Sequence, residues 1–117
     1  MASMRLPNAG RAVVDPAKVR DYLLSPDHPD GSSKARFFGA LGFTREGWPR
    51  LRDALLAVAR EGEAEPGTAS VFGQKYVARG IIPGPDGRAA AVVTVWIVLR
   101  GDDVPRFVTA YPGEAPR

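Results

Sequence analysis

The sequence predicts an α+β fold, with two or three helices packed on one face of a three- to four-stranded antiparallel β-meander. Three observations predict it. Apolar residues recur at helical spacing through the first half of the chain. In the second half they alternate, and β-branched and aromatic residues take over. The later segments are joined by short Gly- and Asp-bearing turns, which connect antiparallel neighbours. Helices followed by contiguous strands give a helical layer on a sheet.

The first helix is read from "VDPAKVRDYLL", where Asp15 is a natural N-cap and Pro16 suits the first helical position. Val19, Tyr22 and Leu23 then share one apolar stripe. Ser25-Pro26 stops this helix, and "SPDHPDG" is a loop by composition. A second short helix opens at Ser32 or Ser33, runs through "KARFFGAL" and closes at Gly42. Thr44 is placed to cap a third, "REGWPRLRDALLAVAREG", which buries Trp48, Leu51, Leu55 and Val58 and exposes Arg50, Asp53 and Arg60. "EGEAEPGTAS" reads as an acidic linker. The strands are "GQKYVARGII", "RAAAVVTVWIVLR" and "VPRFVTAYP", and "GRAVV" is a candidate edge strand.

Residues 5–112 are expected to form one domain, after an expression leader at residues 1–4 and before a flexible tail at 113–117. No apolar run has the length of a membrane-spanning helix, and no cysteine is present for disulfides or thiolate metal sites. A cytoplasmic protein without a membrane partner is the simplest expectation. Net charge is +3, carried by the first sixty residues, where ten Lys and Arg face six Asp and Glu. That imbalance suits a phosphate-bearing partner, although Arg-rich surfaces also arise without one.

Strand parity sorts side chains onto faces. If residues 84–87 form the first turn, Arg79 meets Val92, Val77 meets Thr94 and Lys75 meets Trp96. Lys75, Arg79, Thr94 and Trp96 then share an open face, while Tyr76, Ala78, Ile82, Val93, Val95, Ile97 and Leu99 lie under the helices. A two-residue Gly101-Asp102 turn adds Thr109 and Tyr111 to the open face. A three-residue turn including Asp103 buries both instead. The open face is thus either a polar site or an ordinary solvated sheet surface.

Phosphate-loop, nucleophile-elbow and two-histidine helix motifs are absent. His28, the single histidine, sits in a Pro-bounded loop, and Lys34 adds positive charge at the positive end of the second helix dipole. No metal-ligand cluster is evident, so no cofactor is expected.

His28-Pro29, Gly31, Lys34-Ala35 and Phe38, followed by "FGQKYVARG", "VVTVWIV" and "PRFVTAYP", resemble an uncharacterised bacterial domain family over about residues 5 to 112. Relatives often carry His or Tyr before the lysine, where Ser33 stands here. The order of elements is also similar to the barnase, colicin-D and RelE-like ribonucleases. That resemblance implies a metal-independent endoribonuclease, toxin-like, with RNA as substrate and a small acidic protein as neutralising partner. Under it, Lys34, Arg79, Thr109 and His28 are the candidate catalytic residues. Lys75, Thr94, Trp96 and Tyr111 are the candidate substrate-binding residues, with Trp96 stacking a base. The competing reading is a non-catalytic interaction module that uses the same face or a sheet edge.

Overall fold

In the computed structural model, which describes residues 4–28 and 32–113, the first helix starts as its chemistry requires. The Asp15 carboxylate accepts a bond from the Ala17 amide at 2.9 Å, and Pro16 opens α1 (Pro16–Lys18). The helix then widens into a π-helical turn, Val19–Leu23, in which the Leu24 amide reaches back to the Val19 carbonyl. Val19 and Leu23 are fully buried, as their stripe predicted, and Tyr22 is half-buried beside them. α2 (Ser32–Ala40) is followed by Gly42 in the left-handed region.

α3 spans Trp48–Glu61, a later start than Thr44 implied. The Thr44 hydroxyl instead accepts from the Gly47 amide at 3.0 Å, closing a turn ahead of the helix, and Pro49 occupies its first turn. Leu51 and Leu55 are fully buried on its inner face, each stabilising by roughly 1.5–3 kcal/mol. The helices lie on one face of a single antiparallel sheet, in the order β1 (Glu63–Ser70), β2 (Gly73–Pro83), β3 (Ala89–Leu99) and β4 (Pro105–Pro112).

The fourth strand comes from an unexpected place. "EGEAEPGTAS" is not a linker: Glu63–Ser70 pairs with β2 as an edge strand. Only Ala64 of it is buried, so it needs no apolar alternation. Its glutamates, Pro66 and an irregularity between Pro66 and Ala69 are features that protect exposed edges from further pairing. Gly62 makes the tight exit from α3, since a Cβ there would strike the carbonyl oxygens of Val58 and Arg79. "GRAVV" contributes a 3-10 turn at Ala9–Arg11 and one parallel bridge, Val13 to Arg106, but no strand.

The expected register between β2 and β3 is off by one residue. Gly84–Arg88 forms a five-residue connection, closed by the Gly84 amide on the Arg88 carbonyl at 2.6 Å, so Pro83 faces Ala89. Arg79 therefore pairs with Val93, Ala78 with Thr94 and Tyr76 with Trp96. A slip of one residue exchanges the faces of a whole strand. Thr94 and Trp96 lie under the helices, both fully buried, together with Ala78, Ile82 and Val92. Val93, Val95, Ile97 and Leu99 go to the open face instead.

The second turn follows neither alternative. Asp102 N bonds to Leu99 O at 2.9 Å across a left-handed Gly101, and the Asp102 carboxylate then accepts from the amides of Asp103 and Val104. Phe107 faces Trp96 as anticipated, but the pairing then shifts, so that Thr109 faces Val95 and Ala110 faces Thr94.

Residues 1–3 of the expected leader (1–4), residues 114–117 of the expected tail (113–117), and Pro29 and Gly31 of the family pattern lie outside the described residues. Met4 bridges to Ala64.

The buried Trp96 indole donates to Thr94 Oγ1 at 2.7 Å, and Thr94 Oγ1 donates to the Ala78 carbonyl at 2.8 Å. Thr94→Val would leave a buried donor without its acceptor and remove a cross-strand bond. It should destabilise by roughly 2 kcal/mol or more in urea unfolding, and Thr94→Ser by much less. A valine variant within 0.5 kcal/mol of wild type, to take roughly the scale of a surface change, would contradict this account.

Candidate functional site

Three of the four candidate catalytic side chains meet around one aromatic ring, Tyr22. The π-turn presents this ring at the rim where the helical layer meets β4, and π-helical turns recur at functional sites. The Tyr22 hydroxyl is 3.0 Å from Thr109 Oγ1. The His28 imidazole stands edge-on to the ring, with centroids 5.0 Å apart. Lys34 Nζ, from the first turn of α2, lies 5.6 Å from the ring centroid, and Lys18 Nζ lies 5.8 Å from it. Both are within reach of the negative face of a π-system.

Each position has a local cause. Lys18 and Tyr22 are four residues apart, the spacing that makes helical neighbours. Phe107 faces the buried Trp96, so in a regular strand Thr109, two residues on, would also point inward, across from Thr94. The extra residue where β4 shifts its pairing sets Thr109 across from the outward Val95 instead, with its hydroxyl at Tyr22. The turn that carries Tyr22 is held from outside: Arg45 donates to the Arg20 carbonyl at 3.1 Å and to Asp21 Oδ1 at 3.0 Å. Tyr22, His28, Lys34 and Thr109 are all half-buried, so the cleft is open to solvent on one side. Lys34 brings positive charge from the first turn of α2, and Lys18 brings a second ammonium to the same ring from the end of α1.

The remaining candidates are elsewhere. Arg79 is on the open face of the central strand β2, its guanidinium 2.6 Å from the Glu65 carboxylate. Lys75 is exposed on the same face, and Tyr111 is 41% exposed beyond Arg79 and Val93. Thr94 and Trp96 are in the core, so Trp96 presents no face for a base to stack on; its ring packs edge-on against Phe107. Tyr22 and Lys18 escaped the sequence reading because Tyr22 fits an apolar stripe. The signal that could have found them is a phenol hydroxyl within a stripe that otherwise buries fully. Among the described residues no cluster of three or more His, Cys, Asp or Glu could hold a metal ion, and no helix is long and apolar enough to cross a membrane.

The chain belongs to the family described as Domain of unknown function (DUF6883), which it matches over residues 5–114. Its fold is similar to that of a chain in a contact-dependent growth inhibition toxin - immunity protein complex from Klebsiella pneumoniae 342. The TM-score is 0.69 at 20% identity, with 92% of this chain and 97% of that one covered. No curated protein matches the sequence.

The support beneath Tyr22 is testable through pH. The hydrogen bond from Arg20 holds the Asp21 carboxyl below the ordinary carboxylate value; desolvation opposes it, and the hydrogen bond from Arg45 adds a smaller lowering effect. A depressed folded-state pKa contributes stability that is complete above the unfolded value of about 4 and is lost as pH falls through the folded value. Asp21→Asn should therefore melt below wild type at neutral pH, and the gap should close on acidification. A gap that persists or widens in acid would exclude this ion pair as its source.

Proposed function

We propose that this domain is a small, toxin-like, metal-independent ribonuclease whose reaction takes place in the Tyr22 cleft. The observation that carries the reading is the convergence of His28, Lys34 and Thr109, from a loop, a helix and the last strand, on one half-buried ring.

Cleavage by this route is attack of a ribose 2′-oxygen on the adjacent phosphorus, with departure of the 5′-oxygen of the next nucleotide. It requires a base for the 2′-proton, an acid for the leaving oxygen and cations for the charge gathering on phosphate. The imidazole of His28, edge-on to the Tyr22 ring, is the group placed to carry the proton. Lys34 and Lys18 supply positive charge beside it. The Thr109 hydroxyl, held by Tyr22, is suited to orient a phosphate oxygen. Arg79, Lys75 and Tyr111 would act on parts of the RNA away from the reacting phosphate. Thr94 and Trp96 keep no role as ligands, since they are buried. The fold neighbour's toxin and immunity context supports a toxin-like role here, and an acidic neutralising protein as partner for this basic chain.

A second reading, a non-catalytic interaction module, draws on the β1–β2 hairpin tip, where Val71 is 74% and Phe72 71% exposed. Cleavage separates the two. The protein should cut RNA in EDTA, leave 2′,3′-cyclic phosphate ends and spare an all-deoxy strand. His28→Ala or Lys34→Ala should lower the rate by about 10²–10⁴ with RNA binding retained. Binding of a protein partner without any RNA cleavage would sink the enzyme and leave the module.

A further inference from the structure

β3 is apolar on both faces, although helices cover only one. Its inward side chains include Val92, Thr94 and Trp96, while Ala91, Val93, Val95, Ile97 and Leu99 point to the open face. A sheet with one solvated face ordinarily alternates apolar and polar. The excess is not spread evenly. At one end of the open face it forms the floor of a hollow of about 740 Å³, within the range of small-molecule sites. Ala91 and Val93 are its floor, Ile81 and Tyr111 its apolar walls, and Arg79 and Glu63 its polar rim. Arg79, Val93 and Tyr111 are direct cross-strand neighbours, so cation, floor and aromatic ring stand in one row. Val93 is only 7% exposed on this nominally open face, while Tyr111 is 41% exposed and Ile81 51%.

The hollow borders the Tyr22 cleft. Thr109, which closes the cleft, and Tyr111, which walls the hollow, are two residues apart on β4, about 7 Å along a strand. The inward Ala110 lies between them, fully buried. A chain with its phosphate at Thr109 would cross the β4 edge and meet the hollow next. An apolar floor with an aromatic wall, a guanidinium and a carboxylate at the rim is the chemistry that takes a nucleobase, through stacking and edge hydrogen bonds.

We propose that the hollow beside Tyr111 holds the unstacked base of a nucleotide flanking the phosphate at Thr109, which makes single-stranded RNA the substrate class. This rests on the ribonuclease reading above and adds to it where the strand runs. A paired base has no free face to offer, so duplex RNA is a poor ligand.

The test uses a short all-deoxy oligonucleotide, which cannot be cut by the 2′-oxygen route, and a series lacking each base in turn. Affinities are measured at low salt for wild type, Tyr111→Phe and Tyr111→Ala. Tyr111→Ala should weaken the intact strand by about tenfold or more, since base–aromatic stacking is worth that much. It should have no effect on the one oligonucleotide already missing the base that fills the hollow, and Tyr111→Phe should bind like wild type. Equal affinity of wild type and Tyr111→Ala, or the same loss for every member of the series, overturns the proposal. So does a Tyr111→Ala variant that loses self-association in sedimentation while its oligonucleotide affinity is intact, which would assign the face to protein. RNA cleavage with Tyr111-independent binding would sink the hollow alone. Base-dependent binding by a protein that never cuts RNA would sink the reaction and keep the hollow.

Discussion

A tryptophan buried in a protein core must find an acceptor for its indole N–H, and here that requirement organises the sheet. Trp96 donates to Thr94, two residues away on the same face, and Thr94 passes a bond to the Ala78 carbonyl of the neighbouring strand. The hydroxyl is both acceptor and donor, so the pair adds no unsatisfied polar group to the core. With Thr94 and Trp96 inward, every other residue of β3 has its face determined. Arg79 and Lys75 remain outward on β2, and Val93 and Val95 of β3 have to line the open side.

The cleft depends on that arrangement at one remove. Phe107 packs edge-on against Trp96, which ties the beginning of β4 to the core, and Ala110 lies inward across from Thr94. Between these two anchors the strand carries one residue too many. The surplus is absorbed by the bulge, which sets Thr109 across from Val95 with its hydroxyl at Tyr22. On the other side, a widened helical turn, stapled by Arg45, brings Tyr22 to meet it. Two departures from regular structure therefore face each other across the cleft, and His28, Lys34 and Thr109 gather where they meet. Irregularities of this kind cluster at functional sites because regular elements aim side chains at the core or at solvent, seldom along an edge.

Much of this was legible in the residues. The helix start at Asp15-Pro16, the stripes of the helices and the three longer strands follow from capping chemistry and periodicity. Lys34, His28 and Thr109 are candidates only under the ribonuclease resemblance, and their convergence on Tyr22 required the tertiary fold. Parity was not legible, because β3 is apolar in both registers and only the length of the Gly84–Arg88 connection selects one. The T-x-W spacing held a clue: a core tryptophan favours the register that places Thr94 beside it. β1 was hidden for a different reason. An edge strand with one buried side chain gains its stability from backbone pairing, which leaves no hydrophobic signature in "EAEPGTAS". The bulge in β4 has no signature either, since it arises from fitting two anchored ends to one partner.

The most direct test of the account is a crystal structure with a single-stranded RNA whose 2′-oxygens are methylated, so that it binds without reacting. The account predicts a phosphate within hydrogen-bonding distance of Lys34 Nζ and Thr109 Oγ1, with the His28 ring beside the methylated oxygen. A strand bound with its phosphates away from the Tyr22 cleft, along the β1–β2 hairpin for instance, would contradict it.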